Sequence, residues 1–391
     1  MLVLYLGYLY VNLLTSFTQK KQIKTHSLVI GISLVSILSN LFWNKSLISF
    51  HPLFQSLNPI IGVLLTIIFS IGIPFFILST TSTLLQYWFS HIAPNKNPYS
   101  LYVTSNIGSL LGLLAYPFLI EPYFSTSTQE ISWIILFLSF LFLIYKITKA
   151  FKSKLQSQKK INHTQKSTFR EIAIWLSIST ISNIALLATT SSITQTVSPF
   201  PFLWVIPLAI FLITFIIAFS GSSWYSREFH CTLLLVFIIF TSLVATGKIQ
   251  TPYWVQLTLF LLNLFMINLI CHIELFLAKP NPQRLVRYYV IISLGGVLAS
   301  IFCAVIAPLL FPDFWEFPLS LLLAVLLAVF ALLFQSNRIF IKLQYIFFGI
   351  VATVIIFLQY DGIFIKYFYT MDFDINEHIP EDFDDNSKVW I

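Results

Sequence analysis

Long apolar runs separated by short polar breaks dominate the chain. Twelve reach or approach the roughly 20 residues an α-helix needs to cross a hydrocarbon layer. They are 1–17, 27–43, 59–84, 101–120, 131–148, 171–189, 201–220, 231–247, 253–277, 288–311, 318–335 and 343–360. The pattern predicts an all-α, polytopic integral membrane protein of about twelve transmembrane helices. It excludes a transmembrane barrel, whose strands alternate in polarity over about 10 residues. The first run lacks a basic leader and a small-residue cleavage site, so it reads as a retained helix rather than a signal peptide.

Composition closes off other classes. Of the 391 residues 57% are hydrophobic and 9% charged, against roughly 25% charged in soluble domains. Too few charges remain to cover a water-facing surface, which excludes a soluble enzyme. The net charge of +7 is explained by topology, not by a nucleic-acid partner, because no basic patch accompanies an aromatic binding module. Eighteen of the 22 Lys and Arg fall after odd-numbered spans, among them Lys20, Lys21, Lys24, Lys96, Arg227, Lys279 and Arg284. By the positive-inside rule those connections are cytoplasmic, and both termini face outward. Trp43, Trp88, Trp133, Trp204, Trp224 and Trp254 lie near span ends, where an interfacial belt is expected. Cys231, Cys271 and Cys303 have no metal or disulfide spacing, so no metal and no cofactor is expected.

The chain also carries a repeat. The fourth span reads SNIGSLLGLLAYPFLIEP (Ser105–Pro122) and the tenth SLGGVLASIFCAVIAPLLFP (Ser293–Pro312). Both place small residues four apart, Gly108 and Gly112 in one, Gly295, Ala299, Cys303 and Ala307 in the other, and both end in a Pro pair. Such rows let helices approach closely, so these six residues are helix-packing candidates. Similar helices six apart, running the same way, imply parallel repeats like the halves of a major facilitator. The expected organisation is a first bundle of five helices over 1–148 and a basic linker over 149–170. A second bundle of six helices follows over 171–335, then an extra helix over 336–360 and an acidic tail over 361–391. In that scheme the first bundle lacks its leading helix.

The segments LYLGYLYVNLL, FFILSTTSTLLQYWFS, NPYSLYVTSNIGSLLGLLAYPFLIEP, FPFLWVIPLAIFLITFIIAFS, CHIELFLAKPNP and YYVIISLGGVLASIFCAVIAPLLF occur in this order. Together they resemble the membrane region of the bacterial fused major-facilitator/spermidine-synthase-like family, from residue 1 to about 320. The resemblance implies a multi-pass protein of the bacterial inner membrane, with a small organic cation or polyamine as candidate ligand. It also implies that the family's first helix and soluble synthase domain have no counterpart here. No GxGxxG or P-loop occurs, so the chain is not expected to be an enzyme.

Polar side chains within a bilayer are costly and tend to face the bundle interior. The ninth span holds Asn263, Asn268, Cys271, His272 and Glu274. Asn268 and His272, four apart, share a helix face, and a histidine can exchange a proton near neutral pH. This makes the span a candidate proton relay, the bland alternative being interfacial side chains near Lys279. The sixth span carries Ser177, Ser179, Thr180, Ser182 and Asn183, which line a wet path or bond to neighbouring helices. The third is loosened by Pro74 beside Ser79–Thr83. Asn106 and Glu121, at opposite ends of the fourth span, complete the candidates. The third, sixth and ninth spans match three of the four cavity-lining positions of a major facilitator. The leading expectation is a transporter-like or small-molecule-binding membrane domain, and the alternative is a non-transporting scaffold or the remnant of a split gene.

Overall fold

The computed structural model describes residues 1–42, 61, 63, 67–93, 95–155, 167–196, 202–245, 249, 251–311, 315–335, 346–347, 349–354 and 356. Trp43, Lys45, residues 156–166 and the acidic tail fall outside them. Among the described residues the chain is helical without strands. The helices are α1 (Leu2–Thr15), α2 (Gln19–Phe42), α3 (Ile73–Ile92), α4 (Ser100–Ala115), α5 (Thr126–Leu155) and α6 (Phe169–Thr196). They continue as α7 (Val205–Ser220), α8 (Arg227–Ala245), α9 (Tyr253–Leu277), α10 (Leu285–Ile301) and α11 (Glu316–Gln335). Each matches one expected span in order.

Seven of these helices (α4, α5, α6, α8, α9, α10 and α11, the fourth and tenth counted with their flanking turns) are long and apolar enough to cross a membrane. That supports a membrane location and falls short of the expected twelve. At 14 and 16 residues, α1 and α7 extend about 21 and 24 Å, against a hydrocarbon core of about 30 Å. The start of α2, at Gln19, takes in Lys20, Lys21 and Lys24. Lys21 lays its ammonium 4.1 Å from the centre of the exposed Phe17 ring, a cation–π contact at the start of the helix. The third helix runs on to Ile92, past the expected end at 84, because Gln86 and Trp88 are buried.

Three π-helical turns interrupt the helices, at Ile68–Gly72, Tyr116–Ile120 and Phe302–Ile306. Each adjoins or contains a proline: Pro74, Pro117 and Pro308. Proline lacks the N–H that would bond four residues back, and its ring crowds that carbonyl. A widened turn absorbs both defects without ending the helix. Aligning Gly108 with Gly295 brings the second and third π turns into register to within one residue. The end of α7 has a different cause: Gly221, at φ 154°, adopts a backbone open only to glycine.

The packing pairs repeat. In the first bundle α1 packs on α3, and α2 on α3 and α5; in the second, α7 packs on α9, and α8 on α9 and α11. The largest contacts between the two sets are α1 with α10 and α4 with α7, with a lighter one of α3 on α10. Exchanging each helix for the one six positions away converts the first of these into the second. Among the described helices the sixth has no counterpart, and it is a hub, packed on α9, α10 and α11. Residues 349–354 are helical, and Gly349 sits against Val325 and Val329 of α11.

Candidate functional site

The most polar buried cluster joins α6, α7 and α9. His272 is fully buried, as are Asn268 and Thr214, with Ser182 nearly so. The Ser182 hydroxyl lies 2.9 Å from His272 Nε2 and 2.8 Å from Asn268 Oδ1, and Thr214 Oγ1 lies 3.0 Å from His272 Nδ1. Phe215 stacks on the imidazole, 3.5 Å between ring centres and 18° between planes, and Phe211 meets it edge-on. The chain folds this way locally because Asn268 and His272 share a face of α9, and α6 and α7 both pack on that helix.

Proton bookkeeping assigns the ring. Thr214 donates its only hydroxyl proton to the Phe211 carbonyl at 2.8 Å, so it accepts from Nδ1–H of His272. Two arrangements then satisfy the other side. With Nε2 bare, Ser182 donates to the ring, and the Asn268 amide turns its nitrogen toward Ser182. With Nε2 protonated, the ring donates to Ser182, which donates to Asn268 Oδ1. In that second orientation Asn268 Nδ2 is buried without a partner. The hydrogen bonds can thus be drawn for a neutral or a charged imidazole by one hydroxyl rotation and one amide flip, the charged form also bearing the cost of burial against the π face that Phe215 offers it.

The remaining candidates are dispersed. Asn183 donates to the Ser179 carbonyl at 2.8 Å, and its Oδ1 is buried without a partner. That oxygen lies 3.4 Å from where a Cβ on Gly296 would stand, which places it at the seam of α6 with α10. Asn263 is tied to α8 through Thr241 and to its own helix through the Leu259 carbonyl at 3.0 Å. Asn106 is buried and caps the Tyr102 carbonyl at 2.8 Å. Glu121 is exposed at the end of its π turn. Part of the polar face of α6 bonds to neighbouring helices, Ser179 donating to the Ile292 carbonyl of α10 at 2.7 Å, whereas Thr180 donates to the Leu176 carbonyl of its own helix and Ser177 is exposed. The third helix packs on α1, α2 and α10, so its Ser/Thr run does not join the α6–α9 cluster.

Glu274 pairs with a residue that spacing did not single out. Arg227 grips it twice, Nε to Oε1 at 2.5 Å and Nη2 to Oε2 at 2.7 Å, and Tyr225 donates to Oε1 at 3.1 Å. Burial above all, with the nearby carboxylate, raises the Tyr225 phenol and keeps it a donor. Lys279, expected beside Glu274, instead caps the Phe276 ring at 3.3 Å. The pair is part-exposed, 28% for Arg227 and 12% for Glu274. Breaking it is expected to cost about 1–2 kcal/mol, between the surface and buried limits. Thermal unfolding in detergent checks this: Arg227→Ala should lose that amount, and Arg227→Lys should recover only part because it cannot grip both oxygens.

At the same basic end, aromatic side chains knit the bundles together. Tyr102 of α4 stacks on Tyr289 of α10 at 5.2 Å, and Tyr8 of α1 approaches it at 6.1 Å. Tyr289 donates to Gln86 of α3 at 2.8 Å, and Tyr99 donates to the Pro280 carbonyl at 2.7 Å. Trp88, expected in the interfacial belt, is buried and donates to Gln22 at 3.2 Å; Trp133, Trp204, Trp224 and Trp254 are exposed.

The small-residue rows behave differently from each other. A Cβ on Gly295 would meet Ser179 Cβ at 2.8 Å, and Ala299 and Ala307 are fully buried, whereas Cys303 is half-buried. Around Gly108 and Gly112 there is nothing within 4 Å among the described residues. Among the described residues, then, nothing packs on them as α6 packs on Gly295. Compared with known protein families, curated proteins and solved structures, the chain matches none.

Proposed function

We propose that this chain is a transporter-like membrane domain that binds a small organic cation, a polyamine being the first candidate, with His272 as its proton-binding station. The observation that carries the reading is the network around His272, whose hydrogen bonds can be drawn for either a neutral or a charged imidazole inside a helix bundle. Intramembrane ionisable residues of this kind mark ion and proton paths. The two sets of repeating packing pairs support an arrangement of parallel repeats, as in a major facilitator. On this reading the basic end faces the cytoplasm, and the tyrosine seam holds that end shut. Asn183, with its free acceptor at the seam of α6 with α10, is the proposed ligand-facing side chain.

The test is uptake of labelled spermidine and of a simple organic cation into proteoliposomes, with and without a pH gradient. Gradient-driven uptake is expected for the unaltered chain. His272→Gln, which keeps a hydrogen-bonding side chain but cannot titrate in this range, should lose the gradient dependence. Asn183→Ala should raise the KM. Uptake equal to that of empty vesicles, or indifferent to both changes, overturns the reading. A second reading, a non-transporting scaffold, is favoured by one observation: α4 buries only Asn106 among its side chains, as a surface awaiting a partner would.

A further inference from the structure

We infer that the basic ends of α2 and α5 together hold an anionic phospholipid, its phosphate among Lys20, Lys21, Lys24, Lys146 and Lys149. The inference stands on where these charges fall and does not rest on the transport reading. Ile30, Leu34 and Ile37 of α2 gather with Ile134, Phe137 and Leu141 of α5 in one apolar cluster. Phe137 is also the midpoint of the stretch Thr126–Lys149, which is long and apolar enough to cross a membrane. Successive spans alternate in direction, so α2 and α5 run antiparallel and the start of one lies beside the end of the other. At a rise of about 1.5 Å per residue, Lys24 and Lys146 stand about 14–15 Å along their helices from the cluster, and Lys20, Lys21 and Lys149 about 18–21 Å. The hydrocarbon core ends about 15 Å from the midplane and the headgroup layer about 20–22 Å from it. The five lysines therefore share the depth at which lipid phosphates lie.

No carboxylate of their own helices competes for them. The sequence of α2 has no acidic residue, and the one acid of α5, Glu130, is at its far end. Among the described residues the ion pairs are Arg227 with Glu274 and Arg284 with Glu171, so those arginines are satisfied inside the protein and these lysines are not. All five are exposed. Lys21 lies over the Phe17 ring, and Lys146 lies 4.6 Å from the centre of the Phe142 ring; both rings are exposed as well. Toward the middle of the bilayer the same two helices leave Leu28, Ile32, Leu136 and Leu143 exposed. Cations at phosphate depth, above bare apolar helix faces, match both halves of a phospholipid. A cluster of roughly four to eight Lys or Arg at the end of a membrane helix attracts anionic headgroups, each residue strengthening the attraction about fivefold.

The experiment titrates the full chain in neutral detergent with phosphatidylglycerol or phosphatidylcholine and reads the Kd of the first bound lipid by native mass spectrometry. Phosphatidylglycerol should bind about tenfold more tightly or better, and its advantage should shrink as salt is raised. Lys149→Gln should weaken its binding about fivefold, and Lys24→Gln combined with Lys149→Gln about 25-fold. Arg287→Gln removes an equal charge at the same basic end, at the start of α10, and should change the Kd by less than about twofold. All three side chains are exposed, so thermal stability should not move and a loss of binding is not a loss of fold. Glycerol phosphate, which offers the phosphate without acyl chains, should not displace the lipid. Equal affinity for the two lipids overturns the proposal. So does an equal loss for Arg287→Gln and Lys149→Gln, which would make the attraction a property of net charge. Displacement by glycerol phosphate overturns it too, since the site would then serve a soluble phosphate.

Discussion

Gly295→Val is expected to cost about 3 kcal/mol or to prevent folding, whereas Gly108→Val should change stability by less than about 0.5 kcal/mol. The two positions are indistinguishable by local sequence. Each is a glycine four residues before another small residue, in a helix that leads into a proline-associated π turn. They differ in what stands opposite. The first atoms a side chain at 295 would strike are Ser179 Cβ at 2.8 Å and Oγ at 2.9 Å, followed by the Thr180 backbone nitrogen at 3.0 Å. A serine hydroxyl can turn, but Cβ and the backbone cannot, so α6 must move away. Doing so also stretches the bond from Ser179 to the Ile292 carbonyl, worth about 0.6–2 kcal/mol between membrane helices. A side chain at 108 meets open space. Thermal unfolding of the purified chain in detergent measures both. Equal losses at the two positions would show that the bundles do not differ as the packing indicates.

That contrast shows where sequence reading stops. Apolar runs about 20 residues long located α1–α11 in order, because length and hydropathy are properties of a single segment. Which side of a helix is covered depends on a partner far away in the chain, and nothing near Gly108 records that no described residue stands opposite it. The same limit applied to charge. Glu274 has Lys279 five residues away and bonds to Arg227, 47 residues away, because the α7–α8 turn closes over the end of α9. Trp88 resembled a belt residue by its place near a span end, yet Gln22 holds it inside. At the candidate site Asn268 and His272 were legible as an i, i+4 pair. The two hydroxyls that complete the network, Ser182 and Thr214, were not legible as such, since only the register among α6, α7 and α9 brings them within reach. Thr214 is one of many buried hydroxyls bonded to a carbonyl of its own helix, and its second role emerges only when its proton is counted.

His272→Ala should be the most damaging single change in that network, costing about 3 kcal/mol, while His272→Phe should cost about 1 kcal/mol. The difference separates packing from hydrogen bonding. Removing the ring opens a void beside Phe211 and Phe215 and ends a stacking contact at 3.5 Å. Replacing it with phenylalanine keeps the stack and loses only the two bonds. Little polar cost follows, because Thr214 still donates to Phe211 and Ser182 turns its proton to Asn268. Ser182→Ala, by contrast, leaves both Asn268 and Nε2 of His272 without their shared hydroxyl, and about 1 kcal/mol is expected for it. The decisive quantity is the coupling between Ser182→Ala and His272→Phe in a double-mutant cycle, read from unfolding in mixed micelles. A bond between the two residues requires a coupling of about 0.6–1.7 kcal/mol. Additive losses would mean that the serine serves Asn268 alone. The imidazole would then lack the second contact through which a proton could be exchanged with α6, and the case for His272 as a relay would fail even if the cluster proved essential to folding.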